Sequence, residues 1–345
     1  MNGAKPKLLL RSLAGERLDR APWWLMRQAG RYLPEYRALR ARARDFVDFC
    51  LNPELAAEAT LQPVRRFGMD AAIVFADILL VPMALGQKLG FGEDGPRLEP
   101  IANSGDAARL RTDGITLGLE PVCETIRRCR AALPKETALI GFAGSPWTVA
   151  TYMVEGGGSR DFLRVKSWAY RDPEGFQSLV DILTEATIAY LAMQIAAGAD
   201  VVQLFDSWAG VLPEDGFARW VIEPTRRITS ALREHFPEVP VIGFPRGAGL
   251  LYERYAAESG VTAIGLDTTV PMDFAREKLQ TRLPVQGNLD PVLLATGGEA
   301  LEHAVKDIRT ALESGPFVFN LGHGVVPQTP PENVAALARL LAEPL

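Results

Sequence analysis

Apolar positions along this chain follow two alternating patterns. The first is a compact apolar run entered through a glycine and closed by an acid. It occurs as Gly68-Met-Asp-Ala-Ala-Ile-Val-Phe-Ala-Asp77, Gly198-Ala-Asp-Val-Val-Gln-Leu-Phe-Asp206 and Gly260-Val-Thr-Ala-Ile-Gly-Leu-Asp267. Glycine tolerates the left-handed conformation just past a helix end, and the run after it has the length and composition of a strand buried on both faces. Eight runs of this composition recur, at Trp23–Met26, Ala71–Phe75, Ala138–Phe142, Val201–Phe205, Val239–Phe244, Ala263–Leu266, Leu283–Gln286 and Phe317–Leu321. The second pattern is helical. Its clearest case opens at Asp172-Pro173-Glu174, an N-cap followed by proline in the first turn, and carries Phe176, Leu179, Leu183, Ala186, Tyr190 and Met193 before stopping at Gly198.

Buried strands alternating with amphipathic helices predict an α/β fold with a parallel sheet, and eight strands close into a single (β/α)8 (TIM) barrel over residues 1–345. An open doubly wound sheet is the alternative, but no glycine-rich dinucleotide fingerprint follows the first run. In such barrels the site lies at the C-terminal ends of the strands. Those positions hold Arg27, Asp77, Ser145, Asp206 with Ser207, Arg246, Asp267, Asn288 with Asp290, and His323.

Composition narrows the class. The chain has 345 residues, 48% of them hydrophobic, enough for a large core without any low-complexity tract or linker. Cys50, Cys123 and Cys129 cannot make a disulfide framework, which points to a reducing compartment. Met1–Gly15 lacks the apolar stretch of a signal peptide, and the most apolar region, Ala71–Leu85, is interrupted by Asp77 and Pro82. These features predict a cytoplasmic protein without a membrane span. The net charge of −5 supplies no basic field for nucleic acid, so an anionic substrate would need a local cluster of cations.

Such a cluster lies in Pro22-Trp-Trp-Leu-Met-Arg-Gln-Ala-Gly-Arg-Tyr-Leu-Pro-Glu-Tyr-Arg37, which leaves a strand through Gln-Ala-Gly and enters a helix near Pro34. Guanidinium forks match carboxylates in bidentate fashion, so Arg27 and Arg31 at a barrel mouth suit a polycarboxylate. Arg42 and Arg44 read instead as surface charges, with Glu35 and Asp45 as nearby acids.

With these residues the chain resembles the uroporphyrinogen decarboxylase family. The matching segments are Arg27-Gln-Ala-Gly-Arg31-Tyr-Leu-Pro-Glu-Tyr, Phe75-Ala-Asp77-Ile-Leu, Gly144-Ser-Pro-Trp-Thr148, Tyr152-Met-Val-Glu-Gly-Gly-Gly158, Phe205-Asp-Ser-Trp208, Gln286-Gly-Asn-Leu-Asp290, and Asn320-Leu-Gly-His-Gly324 through Thr329-Pro-Pro-Glu-Asn333. They stand in the family's order over almost the whole chain. The resemblance implies conversion of the four acetate arms of uroporphyrinogen to methyl groups, giving coproporphyrinogen and CO2 in haem biosynthesis. It implies no metal or organic cofactor, and a homodimer with facing clefts.

It further implies that Asp77 accepts hydrogen bonds from the central N–H groups of the macrocycle. Arg27, Arg31 and Arg40 would bind carboxylate arms, Tyr152, Ser207 and His323 would add polar contacts, and Phe205 would pack on the macrocycle. Physically, protonating a ring carbon makes the pyrrole its own electron sink, and a buried carboxylate stabilises the cation as it forms. Arginine, with a reference pKa of roughly 12.5–13.8, is a poor acid, so the proton's source stays open, with Arg27 placed directly on the reacting ring. Gly156–Gly158 reads equally as a mobile cover or as a turn into a helix near Arg160.

Three rival readings fit less well. A zinc-dependent corrinoid-linked methyltransferase needs thiolate and imidazole ligands, but neither Cys123 nor Cys129 has a strand-end position. A magnesium enzyme would use Asp77, Asp206 and Asp267 as hard ligands. A tetrapyrrole carrier would bind without turnover.

Overall fold

The alternation of apolar runs and helices resolves into a curled parallel sheet ringed by helices. The structure is a computed structural model and describes residues 7–92 and 95–343. The first six residues of the Met1–Gly15 stretch thus lie outside the described residues. In chain order the strands are β1 (Ala71–Ile73), β2 (Leu89–Gly92), β3 (Gly95–Leu98), β4 (Ala138–Gly144), β5 (Val201–Asp206), β6 (Val241–Pro245), β7 (Ala263–Gly265), β8 (Val285–Leu289) and β9 (Phe317–Leu321). Seven of them pair in the order β1-β4-β5-β6-β7-β8-β9, all parallel. The β2–β3 hairpin is separate and was not foreseen, because Gly90, Gly92 and Gly95 blur any alternation.

Trp23–Met26, expected as the eighth strand, makes only one parallel bridge, Trp23 to Phe319. The segment nonetheless spans the gap. Phe319 N–H donates to Pro22 O at 2.9 Å on one side, and Asp70 N–H donates to Trp23 O at 3.0 Å on the other. The ladder stops here because Met26 N–H turns to the Asn320 side chain, at 3.0 Å, and Arg27 then takes a positive φ of 63°. Two other boundaries shift for a simpler reason. Pro240 and Pro284 have no N–H, and β6 and β8 begin on the residues after them.

Inside the barrel, fully buried polar groups form a chain across three strand positions. Trp24 Nε1 donates to Gln286 Oε1 at 2.9 Å, and Gln286 Nε2 donates to Gln203 Oε1 at 3.0 Å. Outside it, the helix Pro173–Ala196 starts as expected, with Asp172 accepting from Gly175 N–H. It is long and apolar enough to cross a bilayer by length and composition, but its buried face packs on β4 and on the helices Gly114–Ala132 and Glu223–His235. Met193 is only half-buried, and Gln194 is fully buried in its place.

Gln194 has a structural task. β1 leaves β4 after Ile73, and the last backbone bond between them runs from Val74 N–H to Ile140 O at 2.9 Å. Beyond it, the Gln194 amide accepts from Phe142 N–H and donates to Phe142 O, both at 2.8 Å, in place of the missing strand. Gly141 makes room, since a Cβ there would lie 2.6 Å from Gln194 Oε1. The sheet can therefore part at its upper edge without orphaned backbone groups.

Gln286→Leu would leave the Trp24 N–H and the Gln203 carbonyl unpartnered in the core. We expect a loss of about 2–4 kcal/mol in urea unfolding; a loss below about 0.5 kcal/mol would show that the chain of side-chain bonds carries no stability.

Candidate active site at the barrel mouth

Where β1 departs, the chain carries Asp77 over the barrel's rim. Thr60 Oγ1 accepts from Phe75 N–H at 2.9 Å, and Ile78 packs on Gly144, where a Cβ would come within 2.9 Å of Ile78 Cβ. Asp77 thus stands four residues past the end of its strand, half-buried. Among the described residues its carboxylate accepts one hydrogen bond, from Leu79 N–H at 2.8 Å. Burial raises its pKa to about 6, opposed by that N–H and by the charge of Arg27.

Arg27 is fixed by its backbone. Val325 N–H donates to Met26 O at 2.9 Å, and the Arg27 side chain lies so close to Gly324 that a Cβ there would approach Arg27 Cβ to 2.9 Å. Gly322 is equally constrained, with a hypothetical Cβ 2.3 Å from Thr268 N. The two glycines of Gly322-His-Gly324 therefore permit close approaches that present His323 between them. Burial lowers the His323 pKa to about 4, and Arg246 and Arg27 push the same way, so its imidazole is neutral at pH 7.

Arg31 and Arg40 join Arg27 around Tyr36. Burial lifts that phenol well above its usual pKa, and Arg40, Arg31 and Arg27 are the cations that oppose the rise. The Arg40 guanidinium carbon also sits 5.9 Å from the Phe49 ring centroid. None of Arg27, Arg31, Arg40 or Arg246 forms an ion pair among the described residues. Arg42 and Arg44 are surface charges as expected, but with different acids: Glu54 at 3.5 Å and Asp48 at 2.9 Å. Glu35 instead pairs with Arg66 and Asp45 caps the helix Phe46–Leu51.

Tyr152 and Ser207 are brought together by a latch. Thr148, four residues before Tyr152 on the helix Pro146–Glu155, donates to Asp206 Oδ1 at 2.5 Å and accepts from Trp208 N–H at 3.0 Å. Trp147 Nε1 donates to Trp208 O at 2.9 Å. Ser207 lies between two fastened residues, and the Trp208 ring centroid is 6.1 Å from that of Tyr152. Burial raises the Tyr152 phenol's pKa, and after a Trp208 hydrogen bond the next influences are Asp77, Arg27 and Arg246. Phe205 meets Phe142 edge-on at 5.5 Å and Phe244 at 6.1 Å.

Other strand-end residues hold the scaffold. Asp206 is buried beside Thr148 on the helix side, its Oδ2 without a partner, and burial raises its pKa to about 7. Asp267 accepts from Gly247 N–H at 2.6 Å, Tyr252 Oη at 2.9 Å, Thr269 N–H at 2.8 Å and Thr269 Oγ1 at 2.6 Å. Burial alone would raise its pKa, but these donors outweigh it and hold the carboxyl below its usual range. Asn288 donates to Asp267 O and Val270 O, Asp290 caps the helix Pro291–Thr296, and Ser145 is buried beneath the mouth. No three His, Cys, Asp or Glu side chains converge as a ligand set among the described residues. Gly156 closes the Tyr152 helix at φ 81°, and its carbonyl accepts from Leu98 N–H of the hairpin at 3.0 Å. The next helix starts at Leu163 rather than near Arg160. Thr148 was missed as a site-forming residue; its four-residue spacing from Tyr152 is the signal that could have found it.

Strands, helices and mouth together define a parallel (β/α)8-type barrel with its candidate site beyond the strands' C-terminal ends. Solved structures share that fold. A methyltransferase from Methanosarcina mazei superposes with a TM-score of 0.82 at 23% identity, covering 98% of this chain and 99% of that one. A B12-independent methionine synthase from Shewanella gives 0.56 at 11% identity, covering 84% and 87%. The family model described as uroporphyrinogen decarboxylase (URO-D) matches residues 4–343. Uroporphyrinogen decarboxylases of Rhodospirillum rubrum and Granulibacter bethesdensis are 56% and 54% identical over 339 residues each, covering 98% and 97% of this chain and 97% and 98% of those proteins. The chain belongs to the uroporphyrinogen decarboxylase family.

The buried Asp206 gives a stability signature. Its folded-state pKa exceeds its unfolded value, so its contribution is fully present below about pH 4 and is lost as pH rises through about 7. Asp206→Asn removes the charge while keeping an acceptor for Thr148. Its Tm should exceed wild type at pH 8 and converge with it as pH falls to about 4; a lower Tm at both values would mean that the carboxylate itself is required.

Proposed function

We infer that this chain is a carboxy-lyase that removes the four acetate carboxyls of uroporphyrinogen in turn as CO2, leaving methyl groups and giving coproporphyrinogen in tetrapyrrole biosynthesis. One domain spanning residues 1–345 carries the activity. The observation behind this reading is the desolvated Asp77 carboxylate in the same mouth as Arg27, Arg31 and Arg40, which have no acidic partners among the described residues. An anionic ligand with a cationic reacting centre complements that arrangement.

The chemistry follows from charge. A proton adds to a carbon of one pyrrole ring, and the ring becomes cationic. The bond between methylene and carboxylate then breaks, CO2 leaves, and the electron pair enters the ring system. The exocyclic carbon takes up a proton to become methyl as the ring gives up its own, so each turnover consumes one proton net. Asp77 accepts from the pyrrole N–H groups and stabilises the cation from a fixed position in a poorly hydrated site. Arg27 grips the reacting acetate, and Arg31 and Arg40 bind other arms as charge-assisted forks. Neutral His323, Tyr152 and Ser207 donate hydrogen bonds to carboxylates, and Phe205 supports the macrocycle face.

No resident metal or cofactor enters this reading. A second copy of the chain is assigned to the mouth side, where Leu250 and Val292, in segments past β6 and β8, stand 85% and 61% exposed. A cytoplasmic location without membrane or nucleic-acid partners fits three free, buried cysteines and the net charge of −5.

The test is anaerobic incubation of metal-stripped protein with uroporphyrinogen, with the oxidised products separated by chromatography. Porphyrins with seven down to four carboxyls should appear in sequence; unchanged substrate would refute the reading. The free enzyme's kcat/KM should also fall as pH drops through about 6, where Asp77 takes up a proton. A kcat/KM that stays flat to pH 5 would remove Asp77's charge from the mechanism.

A further inference from the structure

Strand order places a second cation across the mouth from Arg27. The ring runs from the Pro22–Met26 segment through β1, β4, β5 and on to β6, so β6 lies four positions away in a ring of eight, diametrically opposite. Arg246 follows β6 directly. Its backbone is clamped, with its N–H donating to Asp206 O at 3.1 Å and its carbonyl accepting from Gly210 N–H at 3.0 Å. The next N–H, of Gly247, is held by the Asp267 carboxylate at 2.6 Å. The loops after β5 and β6 also interlock, since a Cβ on Gly210 would lie 2.2 Å from Gly247 O.

What remains free to project is the Arg246 side chain. It is half-buried and has no ion-pair partner among the described residues, an arrangement that costs free energy unless an anion arrives. Its charge acts on both His323 and Tyr152, two residues of the mouth.

We propose that Arg246 is a second carboxylate anchor, which takes an arm of the pyrrole ring across the macrocycle from the ring held at Arg27. This rests on the tetrapyrrole polycarboxylate reading of the site. A cluster on one side alone would fix one edge of a wide ligand and let the rest swing. Two opposed forks set the plane of the macrocycle over Asp77. Because the far arm does not react, Arg246 acts equally on bound substrate and transition state, which is uniform binding.

The test uses Arg246→Gln and Arg246→Lys in the full chain, with uroporphyrin as a non-reacting fluorescent probe and uroporphyrinogen as substrate. For Arg246→Gln, the uroporphyrin Kd and the substrate KM should both rise about tenfold, the scale of one charge-assisted contact. The kcat should stay within about twofold and Tm should not fall, since no internal partner is lost. Arg246→Lys keeps the charge and should recover part of the affinity, which a structural role in the loop would not produce. Unchanged Kd and KM in Arg246→Gln, or a lowered kcat at unchanged KM, would overturn the proposal. Wild-type protein assayed in parallel separates the two readings: an inactive wild type sinks the decarboxylase assignment, whereas an active wild type matched by Arg246→Gln sinks only the anchor.

Discussion

A half-buried carboxylate with a single internal donor is what this barrel mouth is built around. Left alone, such a group prefers to be neutral, and burial accordingly raises Asp77 to a pKa of about 6. In the proposed mechanism a positive charge develops beside it during turnover, and the same poor hydration that penalises the empty state strengthens attraction to that cation. Much of the surrounding architecture positions this residue. β1 parts from β4 so that Asp77 can cross the rim, and the Gln194 amide completes the Phe142 backbone that the departing strand leaves behind.

The cations are arranged by comparable means. Arg27 occupies a left-handed backbone conformation that costs an L-residue about 1–2 kcal/mol. The bonds from Met26 N–H to Asn320 and from Val325 N–H to Met26 O hold the turn, and Gly324 leaves space for the side chain. Thr148 joins the Tyr152 helix to the Ser207 loop through Asp206 and Trp208. Polar contacts thus come from separate elements whose relative positions are set by buried hydrogen bonds.

Most strands and the long helix could be read from apolar periodicity, since strands buried on both faces leave short continuous runs and Asp172-Pro173 marks a helix start. The eighth strand could not be read correctly. Its run is apolar, but the Asn320 side chain intercepts the backbone after a single bridge. The β2–β3 hairpin was hidden by its glycines. At the mouth, the Arg27 and Asp77 segments stood out by residue type and by family resemblance. Asp206 and Asp267 share a strand-end position with Asp77 and join it only in the magnesium reading, and that position says nothing about partners. Strand alternation would have turned Asp206 away from the face that Phe205 takes, whereas two of the four donors on Asp267, Gly247 N–H and Tyr252 Oη, reach it only in the folded chain.

The most direct measurement of the Asp77 claim compares wild type with Asp77→Asn, an isosteric change that removes the charge. Uroporphyrin binding and single-turnover decarboxylation of uroporphyrinogen would be measured on both. The account predicts binding within a few-fold of wild type and a decarboxylation rate lower by about 10²–10³, the scale of a lost preorganised electrostatic contact. A variant that decarboxylates at the wild-type rate would contradict it, because the charge of Asp77 would then have no part in stabilising the cation.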